Sequence, residues 1–243
     1  MEDRYFQTNI IDFSETKHDE STYSIFGGSI VLEGSTLNAR QFATQGSREK
    51  MAAQIFTGTE HFRSGISKVT KGTPEPYKKV QSWLQVSYQN ETYHKVSPKF
   101  TLGAYLEAYY SSRNISNNYT ATLKQAGEFT PTAHSKVTYN EAFRANQYAG
   151  VGTMPIYQLS ESFQLRGEFY GFIPIFPIKK DEYGQAYYGK AFTKFEYLGE
   201  ISLVFQLSFG SISAYVNHYS SPSNDWNVGL TLGWQLFNSR FVE

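Results

Sequence analysis

The sequence predicts an all-β fold, an antiparallel meandering transmembrane β-barrel of about 10–12 strands. Runs of about ten residues alternate between apolar and more polar side chains, as in a strand whose two faces differ. Tyr and Phe, 19 of each among 243 residues, are strand-forming residues. No helical period persists over three turns. Because only alternate residues of such a barrel face lipid, the mean hydropathy of -0.46 is compatible with it.

The clearest strands are predicted in the C-terminal third, over 195–208 and 226–236. In the last strand Val228, Leu230 and Leu232 alternate with small or polar residues, and Trp226 and Trp234 lie toward its ends. Aromatic ends around an aliphatic middle are typical of the girdles that flank a lipid band. We therefore expect these three aliphatic residues to face lipid.

The remaining strands are predicted from weaker alternation, and they bring the total to about eleven. The stretch 112–134 shows no period and is predicted to be an exposed loop. Since neither a linker nor a shift in composition divides the chain, residues 1–243 are predicted to form a single domain. The other predicted strands lie at 100–110 and 163–173, and near 5–13, 22–34, 49–58, 80–92, 134–144, 147–160 and 210–219.

Composition excludes several classes of function. The 22 basic and 22 acidic residues leave no net charge, so the footprint of a nucleic-acid binder is missing. Without cysteine there is no disulfide framework, thiolate zinc site or cysteine nucleophile. The histidines show no metal-ligand spacing, and we expect no metal or other cofactor. Neither a signal peptide nor a long apolar segment is visible, which leads us to expect a part of a longer gene product.

Three segments resemble known barrels. Residues 37–48, Leu-Asn-Ala-Arg-Gln-Phe-Ala-Thr-Gln-Gly-Ser-Arg, resemble a turn that enters a strand in bacterial surface-antigen barrels of the Omp85 superfamily, with Ala43 at the usual proline. Residues 148–157 and 233–240 resemble the C-terminal barrel of patatin-like outer-membrane phospholipases of Bacteroidetes. The resemblance covers roughly residues 20–243.

The resemblance implies a location in the bacterial outer membrane. Its implied partners are outer-membrane lipid, the barrel-assembly machinery and an upstream catalytic domain of the same protein. The Val-Arg-Gly-Phe/Tyr loop of the translocation pores is not present, and the nearest string, Leu165–Glu168, lies within a predicted strand. The Gly-x-Ser-x-Gly nucleophile turn is also missing. The chain is thus expected to be the membrane anchor or the pore of a larger surface-antigen or patatin-like protein, and not itself an enzyme.

Two sets of site residues are predicted. The last strand matches a barrel-assembly signal, in which an exposed strand adds to the sheet edge of an assembly machine; an ordinary amphipathic strand is the alternative interpretation. A second set of charged residues lies on the polar side of the strands, where they either pair across strands and fill a lumen or line a channel. The assembly-signal residues are Asn227, Gly229, Leu232 and Trp234, and the lumen charges are Arg166, Glu168, Lys194, Glu196 and Glu200.

Two other classes of function stay open. A soluble lipocalin-like barrel that binds a ligand would turn its apolar side chains inward and its polar ones to water. An outer-membrane phospholipase in its own right would need a site built from His218 and Ser220, although no sequence motif positions a partner for either residue. A polar hairpin loop is the simpler interpretation of that segment.

Overall fold

A computed structural model of the chain describes residues 2–5, 18–63, 65, 76–116, 118–182, 184–221 and 226–234. Most of the strand predicted near 5–13 and the segment Gln235–Arg240 of the C-terminal motif lie outside the described residues. The structure is mostly antiparallel β-sheet. The elements in chain order are β1 (Glu2–Tyr5), β2 (Asp19–Ser35), β3 (Gly46–Arg63), β4 (Tyr77–Lys95), β5 (Phe100–Ser111), α1 (Tyr119–Gln125), β6 (Gly127–Glu128), β7 (Arg144–Ala145), β8 (Gln147–Gln158), β9 (Phe163–Pro174), β10 (Ile178–Lys180), β11 (Ala186–Tyr188), β12 (Glu196–Leu207), β13 (Gly210–Tyr219) and β14 (Trp226–Trp234).

Ten of these strands form one sheet in which each strand pairs with its neighbour in the chain. The order is β1-β2-β3-β4-β5-β8-β9-β12-β13-β14, and the pairs are antiparallel throughout. The meander therefore follows the prediction. Within the described ranges β1 and β14 are not paired with each other, so the sheet has two edges. The two short hairpins β6–β7 and β10–β11 lie in connections outside this sheet.

The sheet has a long-loop end and a short-turn end. At the short-turn end the strands are joined by residues 36–45, 96–99, 159–162 and 208–209. At the long-loop end the connections 112–146 and 175–195 are much longer. A sheet of this kind is asymmetric along the strand direction, so the two ends offer different amounts of chain for covering its interior.

Two sequence predictions for the segment between β5 and β8 are wrong. The strand predicted at 134–144 is replaced by two 3₁₀ turns, Ser135–Val137 and Glu141–Phe143. The stretch 112–134 is not an exposed loop, because it contains α1 and buries Leu123, Phe129 and His134. We call residues 112–116 and 118–146 the plug, since they pack against one face of the sheet.

Helix α1 is short, which explains why no helical period reveals it. It has seven residues, and the Asn118 side chain caps it by accepting a hydrogen bond from the Ala121 backbone N–H. No helix among the described residues is long and apolar enough to cross a membrane.

The two faces of the sheet differ sharply. On the outer face Leu230 is 79% exposed and Ile201 is 54% exposed, and apolar side chains occupy the same face of the neighbouring strands. On the inner face, which the plug contacts, Glu200 and Ser202 are 2% and 1% exposed. Successive residues of a strand point to opposite faces, so the alternation predicted for β12 and β14 is present. The sorting leaves apolar side chains outside and polar ones buried.

The sheet curls around its inner face. The β2–β3 connection lies near one edge of the strand order, yet the Phe42 carbonyl accepts hydrogen bonds from Gln164 of β9 at 3.3 Å and from Gln206 of β12 at 3.1 Å. The side chain of Gln41 reaches Ser211 of β13 at 3.2 Å. A flat meander would hold these strands far apart, at roughly 4.8 Å for each strand between them. The connection 36–45 therefore covers the short-turn end of a curved interior.

Candidate functional site

The plugged interior of the curved sheet is the candidate functional site. Its centre is Phe129 of the plug, whose ring lies 5.5 Å from that of Phe172 and 6.2 Å from that of Tyr105, centroid to centroid. Gly150 of β8 admits this ring, because a Cβ atom on Gly150 would lie 2.1 Å from it. Aromatic packing of this kind buries a large area on both partners. The plug is thus seated on β5, β8 and β9.

His134 connects the plug to the last three strands. Its Nδ1 lies 2.7 Å from Glu200 Oε1 of β12, and its Nε2 lies 2.7 Å from Thr231 Oγ1 of β14. The ring also stacks on Tyr215 of β13, with centroids 3.5 Å apart. One buried imidazole therefore bridges strands that carry the C-terminal edge of the sheet. Both ring nitrogens are used, which fixes the orientation of the ring.

Four of the five predicted lumen charges are buried on the inner face, two on each of the neighbouring strands β9 and β12. The Arg166 guanidinium pairs with Glu168, and it donates to the Tyr93 hydroxyl at 2.7 Å. It also donates to the backbone carbonyl of Ala43 at 2.8 Å, which ties β9 to the connection 36–45. Buried charges are tolerated when they are paired and hydrogen-bonded in this way.

Glu168 and Glu200 are directly opposite each other on β9 and β12. Two carboxylates in this position repel each other unless each has its own partner. Arg166 pairs with Glu168, and His134 contacts Glu200. The interior thus brings the two predicted charges together and supplies a separate partner for each.

Lys194 and Glu196 lie farther toward the long-loop end. Lys194 Nζ is 3.2 Å from Glu196 Oε1, and the lysine side chain is 37% exposed, so it marks the rim of the buried region. The Ser220 hydroxyl donates to Glu196, and Ser220 Oγ accepts from the Tyr197 backbone N–H at 2.9 Å. This serine is held by a carboxylate and a backbone amide.

His218 lies elsewhere than the hydroxyl of Ser220. Its ring packs on the outer face between Trp226, at 4.8 Å, and Tyr197, at 5.8 Å. A serine nucleophile needs a base within hydrogen-bond reach, and no hydrogen bond joins His218 to Ser220 in the described part of the chain. The arrangement is an aromatic cluster beside a capped strand end.

The predicted assembly-signal residues lie in β14, the edge strand. Asn227 is opposite Asn217 of β13, and Gly229 is opposite Tyr215. Leu232 is 79% exposed on the outer face, and Trp234 is the last residue of the strand. One side of β14 pairs with β13, and among the described residues no strand pairs with its other side.

The inner face of β2, β3 and β4 differs from the plugged region. Gln54, Gln85, Ser87 and Gln89 point inward and are only half-buried. At the short-turn end of this face Arg48 Nε lies 2.8 Å from Glu33 Oε1, in a partly exposed ion pair. Polar side chains that are neither buried nor on the outer face need water. We call this surface the open wall.

Arg113 closes the open wall at the long-loop end. Its guanidinium lies 4.4 Å above the Trp83 ring and 5.6 Å above the Tyr23 ring. Burial lowers the pKa of Arg113, and the nearby Tyr23 and Glu60 oppose that shift. Glu60 also accepts from the Tyr77 hydroxyl at 2.7 Å and from Gln81 Nε2 at 3.1 Å. A charged cluster, in which Arg113 and Glu60 both have partners, thus lies at one end of the open wall.

Sequence reasoning missed Arg113, Phe129 and His134. All three belong to the plug, where no strand period marks the inward direction. The only local signal is Asn118 before Tyr119, a helix-capping residue at the start of α1. The described residues contain no group of three or more His, Cys, Asp or Glu side chains that could hold a metal ion.

Comparisons with protein-family models, with curated proteins and with solved structures gave no match for this chain.

Proposed function

We propose that the chain is a bacterial outer-membrane β-barrel domain that serves as the membrane anchor, or the pore, of a larger protein. The observation that carries this proposal is the sorting of the two faces. An apolar outer face spans β2 to β14, and the polar residues on the inner face of β8 to β13 are covered by the chain's own plug. Lipid is the solvent that makes such sorting favourable, because exposed aliphatic side chains are costly in water and charges are costly in hydrocarbon.

Strand length and loop asymmetry support the same proposal. β5, β8, β9 and β12 have 12 residues each, and about 9–11 tilted residues cross a bilayer. Short turns at one end and long loops at the other are typical of outer-membrane barrels. We propose that the long-loop end faces the cell exterior.

Closure of the sheet into a barrel is part of the proposal. β2 and β14 both run from the long-loop end to the short-turn end, and β1 runs the opposite way. Closure between β1 and β14 would therefore be antiparallel, and ten strands satisfy the even count of bacterial single-chain barrels. The curl that brings residues 41–43 to β9, β12 and β13 supports it.

We also propose that the chain belongs to the family it resembles, the Omp85-like surface antigens and patatin-like phospholipases. Under this proposal, the partners are outer-membrane lipid, the assembly machinery and an upstream catalytic domain. β14 fits the role of assembly signal, since one side of it is open for main-chain pairing among the described residues. Catalysis is proposed to lie outside this chain, because His218 and Ser220 have separate partners.

A soluble ligand-binding barrel is the competing class, and the sorting of side chains argues against it. Such a barrel needs apolar side chains toward its cavity. Here the inner face combines an apolar core, which includes Ile156, Phe172 and Leu198, with buried charges. The exposed aliphatic side chains on the outer face, such as Leu230 at 79%, are what a soluble barrel would not present to water.

The test is folding of residues 1–243 into lipid vesicles, followed by protease digestion and electrophoresis with and without heating. We expect a protease-protected sheet and heat-dependent migration. A chain that stays in solution without detergent and binds no vesicles contradicts the proposal. An assay against phospholipid and short-chain ester, beside a His218→Ala, Ser220→Ala double variant, tests the absence of an active site. Hydrolysis that this double variant loses contradicts the anchor role.

A further inference from the structure

The open wall carries polar and charged side chains on β3 and β4, and on β2 it also carries Ile25 and Val31, which are 43% and 49% exposed. Its inward glutamines and serine offer neutral donors and acceptors, and its charged groups come in both signs. Glu33 and Glu91 face Arg48, and Lys50 lies opposite Glu33 on the same face. Two carboxylates thus stand against two cations. An ion of either sign gains little from such a wall, whereas a neutral polar molecule finds many partners.

The wall narrows at Arg113. Tyr23, Trp83 and Glu60 are all buried at this level, and the Arg113 guanidinium covers the faces of both rings. Phe56 stacks on Trp83 with ring centroids 5.3 Å apart and supports it from the side of β3. Above this point Phe62 and Ala121 join the plug to the sheet. The Arg113 guanidinium, at the end of a long side chain, therefore lies at the narrowest level of the open wall.

Two of the buried polar atoms that lack a partner in the described part of the chain belong to residues at this narrow level, whereas others, such as Ser202 Oγ and Asn217 Oδ1, lie on β12 and β13. Trp83 Nε1 and Gln81 Oε1 have no hydrogen-bond partner among the described residues. A cavity of about 10 Å³ lies beside them, and Gln81, Trp83 and Arg113 line it. This volume is at the threshold for a single water molecule. Since a buried donor or acceptor left unpaired costs free energy, water in this gap is the simplest partner for both atoms.

We propose that the open wall lines an aqueous route through the domain for water and small uncharged polar solutes, and that Arg113 forms its constriction. The inference rests on the proposed membrane barrel and deepens it from anchor to pore. With Arg113 over Trp83 the gap of about 10 Å³ admits water, and a small uncharged solute passes only when the guanidinium leaves the ring. With the guanidinium removed, the open wall becomes continuous with the cavity of about 430 Å³ that Glu60, Tyr77 and Ser116 line.

The experiment is osmotic swelling of phosphatidylcholine vesicles that contain the full chain, with a monosaccharide as the external solute. Arg113→Ala removes the guanidinium that covers Trp83. Arg144→Ala is the matched control, because Arg144 also stacks on a ring, Tyr139 at 4.5 Å, and pairs with Glu128 at 2.7 Å, but it lies away from the open wall. We expect Arg113→Ala to swell several times faster than the unchanged chain, and Arg144→Ala to match the unchanged chain.

A second variant addresses the path itself. Gln85→Trp places a large side chain on the open wall, and in the Arg113→Ala background it is expected to return swelling to the rate of the unchanged chain. Equal swelling by Arg113→Ala and Arg144→Ala indicates a generally loosened plug and overturns the assignment of Arg113. Equally slow swelling by all variants overturns the route.

Insertion is measured on the same vesicles by protease protection, so that the two proposals fail in different ways. Protected protein without any swelling contradicts the route alone. Unprotected protein contradicts the membrane barrel and the route with it. If Arg113→Ala is unprotected while the unchanged chain is protected, Arg113→Lys takes its place: it keeps the charge but loses the planar stacking, and it is then expected to raise swelling. A rate no higher than that of the unchanged chain overturns the constriction.

Discussion

The interior of the curved sheet has two halves, and their inward polar residues find hydrogen-bond partners in different ways. In the packed half, β8 to β14, the plug covers most of the inward polar residues, and each buried carboxylate has a hydrogen-bond partner. In the open half, β2 to β4, the inward polar residues are amides and a partly exposed ion pair, beside the apolar residues Ile25 and Val31. Burial demands specific partners, whereas contact with water does not. The two halves should therefore respond differently to the same kind of substitution.

The largest difference is expected for the loss of an arginine. Arg166→Met leaves Glu168 buried without its cation, and such breaks cost about 3–5 kcal/mol. Arg48→Met removes a partly exposed pair, which is worth about 0–1 kcal/mol. Unfolding by urea, followed through the three tryptophans, measures both free energies. Similar losses in the free energy of unfolding for the two variants would mean that the two ion pairs are equally exposed to water, which would contradict the comparison.

In the open half, a charge introduced on the outer face is expected to impair insertion, whereas a charge on the inner face is not. Leu84 points outward from β4, and its neighbour Gln85 points inward. Leu84→Arg should make insertion less favourable by about 2–4 kcal/mol if residue 84 lies near mid-bilayer. Gln85→Arg should insert normally, because its side chain points into the interior, where we propose that the open wall contacts water. The fraction protected from protease in vesicles reports the result, and equal impairment by the two changes contradicts the facing of β4.

In the packed half, the outward and the inward substitution to arginine on β14 are both expected to cause damage, but of two different kinds. Leu230→Arg is expected to impair insertion for the same reason as Leu84→Arg. Thr231→Arg should insert better than Leu230→Arg but should loosen the plug, because Thr231 contacts His134 at 2.7 Å. Protease cleavage within the plug, compared with protection of the strands, distinguishes the two effects. Equal insertion by the two variants contradicts the outward placement of Leu230.

The smallest difference is expected for two glycines. Gly150→Ala brings a Cβ atom to 2.1 Å from the Phe129 ring, so the plug must shift, at a cost of about 1–3 kcal/mol. Gly28→Ala, on the outer face of β2 opposite Ile55, meets no atom within 4 Å and should stay within about 0.5 kcal/mol of the unchanged chain. Urea midpoints at constant slope measure both, and a cost at Gly28 that equals the cost at Gly150 contradicts the contrast.

Much of the sheet is predictable from the sequence because strand alternation is local. The faces of β12 and β14 follow from the alternation of Ile201 with Ser202 and of Leu230 with Thr231, and both are present in the structure. The burial of Arg166, Glu168, Glu196 and Glu200 follows from the same alternation. Their partners do not, since pairing depends on which segment enters the interior.

The plug is not predictable by the same reasoning. α1 has seven residues and is buried by its surroundings, so it needs no amphipathic period of its own. His134 sits in an irregular segment, 66 residues before Glu200 and 97 before Thr231 in the chain. Contacts over such separations leave no local pattern, and a polar, irregular stretch reads as an exposed loop. The wrong prediction for 112–134 has this physical origin.

The central proposal is that the outer face of the sheet lies in lipid, and spin labels on β12 test this contact directly. The chain has no cysteine, so single cysteines at residues 201, 202, 203 and 204 can each be labelled in vesicles and measured for collision with oxygen and with a water-soluble nickel chelate. We predict strong oxygen and weak nickel contact at 201 and 203, and weak contact with both at 202 and 204. Strong nickel contact at 201 and 203 would show that the apolar face meets water and would contradict the membrane barrel.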